Sequence, residues 1–194
     1  MYNRIIFRIL ASLAIAACSS RVNPKFDQAK FDTGEYAYIV LSAKNNASSK
    51  NVVAKNEFTF EDENGERIEL AFIGTQGAMI PAGDYVLTEY RLAGSNTVGN
   101  LTFSINLNFT DYIDGGFTAP AGKVIYLGNV ETTITENKTG LFKRFFNMGT
   151  SADEVEFTTE VKDDFSAMTP EKKARFEKET GRALEKGKLN WSKK

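Results

Sequence analysis

Few side chains in this sequence could do covalent chemistry. Among 194 residues there is one thiol, Cys18, and no histidine. Without an imidazole the chain cannot activate a serine or cysteine through histidine, and it lacks the commonest ligand of zinc, copper and haem sites. Carboxylates and lysines remain. Two carboxyls held about 5 to 9.5 Å apart could hydrolyse a glycoside, and a Ser-Lys couple could act as a nucleophile. The acids on offer are Asp111, Asp114, Asp163 and Asp164. The first pair stands in Asp111-Tyr112-Ile113-Asp114-Gly115-Gly116, which reads as a turn, and the second reads as a link from strand to helix. The cluster Asp62-Glu63-Asn64-Gly65-Glu66 lacks the alternating carboxylates of a helix-loop-helix calcium site. The expectation is therefore a protein with no catalytic residues, no metal and no cofactor, with a carboxylate-based glycan hydrolase as the enzymatic alternative.

The thiol has a different context. Residues 1–17 place Arg4 and Arg8 ahead of an uncharged run, residues 9–17, that ends in small residues. Nine residues are about half of the ~20 needed to cross a bilayer, so the run has the dimensions of a secretory signal. Ile15-Ala16-Ala17-Cys18 resembles the lipobox of bacterial lipoproteins. The resemblance implies removal of residues 1–17, acylation of Cys18 by fatty acids such as palmitate, and attachment to a membrane without a transmembrane helix. Ser19, where some members have Asp, is similar to proteins released to the outer membrane. The implied location is the cell envelope, on the outer membrane and facing the periplasm.

Two groups of cations could bind an anionic partner. Residues 171–194 hold nine basic and four acidic side chains, so this end is about +5 on an otherwise acidic chain. Lys172, Lys173, Arg175, Lys178, Arg182, Lys186 and Lys188 are the candidates, and Trp191 among the final lysines could belong to the same patch. The alternative is a solvated helix face. Phe142, Lys143, Arg144, Phe145 and Phe146 mix rings with cations, as a loop touching a membrane or partner would. The same phenylalanines could instead cap the end of the domain.

These groups need a scaffold, and the scaffold reads as β. Fifteen Phe and seven Tyr, many among Thr, Val and Ile, favour strands. Residues 35–43 read as a strand in which Tyr36, Ala37, Tyr38, Ile39, Val40 and Leu41 are apolar without alternation, as in a strand covered on both faces. Glu57-Phe58-Thr59-Phe60-Glu61 and Arg67-Ile68-Glu69-Leu70-Ala71-Phe72 flank Asn64-Gly65, which predicts a hairpin with a type I′ turn. Leu101, Phe103, Ile105, Leu107 and Phe109 alternate with polar residues, as do Val155, Phe157, Thr159 and Val161, and each set should face a core. Pro81-Ala82-Gly83 and Pro120-Ala121-Gly122 each predict a type I turn that launches an apolar strand. Pro81-Ala82-Gly83-Asp84-Tyr85-Val86-Leu87 resembles the strand entry of transthyretin-like and carboxypeptidase-regulatory-like β-sandwiches, and residues 117–130 are similar to a strand of uncharacterised lipoproteins carrying that domain. The resemblance implies a fold and no active-site residues.

Thr169-Pro170-Glu171 opens a helix, with threonine as N-cap and proline in the first turn, predicted over residues 170–186 with Phe176, Thr180, Ala183 and Leu184 on one face. The predicted organisation is a signal at 1–17, an unstructured tether at 18–34, an antiparallel β-sandwich at 35–165 and a basic helix and tail at 166–194. The function that follows is a non-catalytic, lipid-anchored envelope protein that binds or positions an envelope protein or glycan. The alternative is a polyanion- or membrane-surface-binding protein using the basic C-terminal helix. No nucleic acid is expected, and the sequence sets no oligomeric state.

Overall fold

The computed structural model describes residues 23–47, 52–98, 101–135 and 156–194. Two sheets stack face to face, and a layer of two short helices covers the outer face of one of them. The chain is mainly β, a sandwich with a helix near its C-terminus.

The first sheet has the order β10-β8-β1-β4, where β1 is Tyr36–Ala47, β4 Gly74–Pro81, β8 Val124–Thr135 and β10 Leu184–Lys186; β9, Glu156–Lys162, also pairs with β8. Antiparallel pairs dominate the fold, but β1 and β10 both run parallel to β8. The second sheet has the order β11-β7-β5-β2-β3, formed by β2 (Val52–Asp62), β3 (Arg67–Phe72), β5 (Gly83–Val98), β7 (Ile113–Ala119) and β11 (Asn190–Lys193); β6, Leu101–Asn108, also pairs with β5.

The core between the sheets is built from one face of each. Ala37, Ile39, Leu41 and Ala43 of β1 meet Phe58, Phe60, Leu70, Phe72, Tyr90 and Leu92, all buried. Rings supply much of the area: Phe58 stacks on Tyr90 at 5.0 Å between centroids, and Phe60 meets Phe117 edge-on at 4.9 Å. Leu107 and Phe109 are buried here as their alternation predicts, and Phe157 and Val161 pack against the same core. The side chains of Leu101, Phe103 and Ile105 lie outside the described residues. One polar chain crosses the interior: the Tyr90 hydroxyl donates to Asn56 Oδ1 at 2.7 Å and contacts Thr132 Oγ1, which donates to Thr159 Oγ1 at 3.2 Å.

Each Pro-Ala-Gly segment carries the chain from one sheet to the other. Pro81-Ala82-Gly83 leads from β4 into β5, and Pro120-Ala121-Gly122 leads from β7 back into β8. They flank the start of β1, with the Ala82 N–H donating to Glu35 O and the Gly122 N–H to Tyr36 O, each at 2.8 Å. The second turn differs from the type I expectation. Lys123 N–H bonds Pro120 O, so Gly122 is the third residue of the turn at φ +66°, a conformation that only glycine adopts without strain. The hairpin between β2 and β3 forms, but with Glu61 opposite Arg67 rather than opposite Ile68 as a two-residue Asn64-Gly65 type I′ loop would set it. Gly65 has φ +81°, and among the described residues only glycines have positive φ. Asp62 is the reason: its carboxylate accepts from the N–H groups of Asn64 (2.8 Å) and Glu66 (2.9 Å), which stabilises a three-residue loop with a glycine bulge.

The outer layer corrects both ends of the predicted organisation. Residues 23–34 are not a free tether. Asn23 Oδ1 accepts from the Ala71 N–H at 2.8 Å, and Pro24 O accepts from the Met79 N–H at 3.0 Å. Helix α1, Gln28–Phe31, is capped by Asp27 and buries Phe31 on the outer face of the first sheet beside Phe26. Unpaired backbone donors on the sheet edge and two aromatic rings are enough to hold this segment.

Helix α2, Pro170–Thr180, starts as predicted, with Thr169 as N-cap and Pro170 in the first turn, but ends six residues earlier than residue 186. Gly181 takes the left-handed conformation at φ 65° and closes the helix. Phe176 and Thr180 are buried on the predicted face; Ala183 is exposed because the helix has already ended, and Leu184 is buried as part of β10. The remaining tail contributes β10 to one sheet and β11 to the other. The loop expected over residues 44–51 also begins later, since β1 runs on to Ala47.

Candidate functional site

Alternation along β1 creates the site. Tyr36, Tyr38 and Val40 point to the outer layer, and Ser42 and Lys44 continue that face beyond it. On β8, Val124 and Tyr126 do the same, and after an irregularity in register between Val40 and Ser42, opposite Leu127 and Gly128, the face continues with Asn129 and Glu131. Thr75 of β4 joins them through a 3.2 Å hydrogen bond from its hydroxyl to Ser42 Oγ. The outer face of this sheet is thus apolar where helix α2 covers it and polar where the helix runs out.

Two tyrosines fix the covering layer. Tyr38 donates to Glu179 Oε1 at 2.9 Å, and Tyr126 donates to Asp164 Oδ1 at 2.6 Å. Burial, then the partner carboxylate, pushes both phenols well above the usual tyrosine range. Gly77 is required beneath Tyr38, because a Cβ there would overlap its ring. Lys173 adds a cation–π contact, its Nζ 4.2 Å from the Phe165 centroid.

The overhanging first turns of α2 and the polar half of the face enclose a groove of about 720 Å³. Lys44 lines it from the sheet, Lys172 and Arg175 from the helix, and Ile73 from the crossing between β3 and β4. Its acids are already engaged. Glu131 accepts from Lys162 at 2.7 Å and from the Asn129 amide at 2.9 Å, and these contacts hold its carboxyl below the usual range against some burial. Asp164 takes the Tyr126 hydroxyl. Among the described residues, Lys44, Lys172 and Arg175 form no ion pair, which leaves the groove an excess of positive charge available to a ligand.

The structure divides the predicted basic patch. Lys172 and Arg175 enter the groove; Lys173 sits on Phe165; Lys178 is exposed; Arg182 faces Asp32 at 3.8 Å. Lys186 pairs with Asp163 at 2.5 Å and, with Lys188, lines a separate hollow of about 330 Å³ where β9 and β10 succeed each other along β8. Trp191 is not part of a patch: its ring packs edge-on against Tyr90 at 5.2 Å and Phe58 at 6.2 Å. Cys18, Phe142, Lys143, Arg144, Phe145 and Phe146 lie outside the described residues. Among the acids considered for catalysis, Asp114 meets Lys194 at 3.3 Å, and Asp163 and Asp164 have the structural partners given above. No group of three or more potential metal ligands occurs among the described residues.

Sequence reasoning missed Lys44, Ile73, Asn129 and Glu131. A signal existed for Lys44, since Ser42 and Lys44 extend the period-2 pattern past the apolar run and would have lengthened the strand. Nothing local marks Ile73.

The chain matches no protein-family model and no curated protein. Among solved structures, a leucine-rich repeat protein from Bacteroides thetaiotaomicron VPI-5482 is similar over 49% of this chain and 13% of that one, at 16% identity and a TM-score of 0.34.

Proposed function

We propose that the protein is a lipid-anchored, non-catalytic component of the cell envelope that binds an anionic group of another envelope component in the groove between β1, β8 and α2. The observation that carries this reading is the arrangement of charge: three cations that form no ion pair among the described residues line one groove whose acids are already engaged. Anchoring rests on the signal segment and on Ile15-Ala16-Ala17-Cys18. Several acyl chains, at about 0.8 kcal/mol per buried CH₂, hold a folded domain on a bilayer.

Two measurements test it. Cys18→Ala should move the protein from the membrane to the soluble fraction, and the wild-type N-terminal peptide should carry the mass of fatty acids. A photocrosslinking residue at Thr75 should capture a component bearing phosphate or carboxylate in intact cells, whereas one at Val86, exposed on the outer face of the other sheet, should not. Lys172→Glu with Arg175→Glu should abolish the Thr75 adduct. Equal capture from both positions, or capture indifferent to charge reversal, would remove the groove from the proposal.

A further inference from the structure

We infer that the anionic partner of the groove is the headgroup layer of the bilayer that carries the anchor, so that the domain rests on the membrane through Ile73, Lys44, Lys172 and Arg175. This rests on the anchoring read above. Asn23, where the chain is fixed to the fold, stands five positions after Cys18. A fully extended chain spans at most about 3.6 Å per residue, so Asn23 lies within about 18 Å of the acylated residue. A compact domain of this size is roughly 40 Å across. The side that bears Asn23 is therefore the side turned to the bilayer.

That side contains the groove. Asn23 bonds the backbone of Ala71, two residues before Ile73, which lines the groove. At 49% exposure, Ile73 is one of two large apolar side chains left exposed among the described residues. The other, Val86, is on the far sheet. An exposed branched residue flanked by cations that form no ion pair among the described residues has the make-up of an interfacial contact: the apolar chain enters the acyl boundary and each cation meets a lipid phosphate. Residues close to the anchor also gain from proximity, since tethering converts each contact into an intramolecular event at high effective concentration.

The test uses the acylated chain in vesicles whose lipids carry a nitroxide quencher. With Cys18 blocked by lipid, Ile73→Cys and Val86→Cys each offer one labelling site for an environment-sensitive fluorophore. On phosphatidylglycerol-containing vesicles the label at 73 should be quenched at least two-fold and the label at 86 hardly at all. Replacing Lys44, Lys172 and Arg175 by Glu should reduce quenching at 73 to the level at 86, as should purely zwitterionic lipid. For the unlabelled chain, hydrogen exchange should slow on anionic vesicles over residues 72–75 and not over 84–87. Equal quenching at the two positions, or quenching at 73 that ignores both lipid charge and the Glu substitutions, would overturn the inference while leaving the anchor intact. A wild-type chain without acyl mass would overturn the anchor and the inference together.

Discussion

The first sheet is buried on both faces, yet the two faces are covered in different ways. Its inner face meets the second sheet through stacked rings and branched side chains, mostly brought there by strands of regular alternation. Its outer face meets residues 23–31 and 165–184, segments from opposite ends of the chain, through Phe26, Phe31 and Phe176 and through two tyrosine–carboxylate hydrogen bonds. The contrast teaches that one strand can serve two layers of different make-up, a core that defines the fold and a covering layer whose edge leaves a charged groove open.

The largest expected effect would break both layers at once. Tyr85 and Tyr90 lie in the core and Tyr38 and Tyr126 under the outer layer, and burial raises the phenol of each, that of Tyr85 to about 12. In the unfolded chain these phenols ionise near pH 10, so above that pH the unfolded state holds fewer protons than the native one and stability falls as pH rises. Stability should be constant through neutral pH and then drop steeply between about pH 10 and the folded-state values. Phenolate absorbance and circular dichroism should change together; separate transitions would show that the layers unfold independently.

Core and cover are separated next by matched truncations. Phe58→Ala removes a fully buried ring that touches Phe60, Phe72, Tyr90 and Trp191, and should cost about 4 kcal/mol. Phe176→Ala should cost about 3 kcal/mol or less, because a peripheral helix can settle into the space. Hydrogen exchange distinguishes them: Phe58→Ala should accelerate exchange in β2 and β5, and Phe176→Ala chiefly in α2 and β10. Acceleration everywhere from both would erase the distinction between layers.

Tyr126→Phe sharpens the comparison by deleting one oxygen. It removes the donor to Asp164 while leaving the ring packed, at a cost of about 1.5 kcal/mol in thermal or denaturant unfolding. It should also loosen the link that sets the groove wall, visible as faster exchange at residues 164–172. The smallest effect is expected from Arg182→Ala, which cuts an exposed 3.8 Å contact between α1 and the segment after α2. Such pairs contribute at most about 0.5 kcal/mol, and a larger loss would mean that charge, rather than Phe31 and Phe176, holds the cover.

The inner core was legible because period-2 alternation is local. Phe58 and Phe60, or Leu107 and Phe109, declare their face within a few residues, and residues 36–41 declare two buried faces by having no polar side. The groove was legible only in part. Lys172 and Arg175 stood out by composition, but equally with Lys186 and Lys188, which the fold sends elsewhere. Turn geometry escaped for a related reason, since the Asp62 carboxylate, not the Asn64-Gly65 pair, selects the backbone conformation.

By itself the sequence determined the β character, the hairpin between β2 and β3, the start of the helix at Thr169 and the exclusion of histidine chemistry, because each depends on residue type or on neighbours a few positions away. Only the tertiary structure decided that residues 23–31 pack rather than hang free, that the C-terminal strands join both sheets, and that Lys44, Lys172, Arg175 and Ile73 share one groove. Those outcomes depend on which edges and faces remain uncovered once the sheets have paired, and the pairing of β1 with β8 joins residues as far apart as Tyr38 and Val124, a separation across which no local pattern carries information.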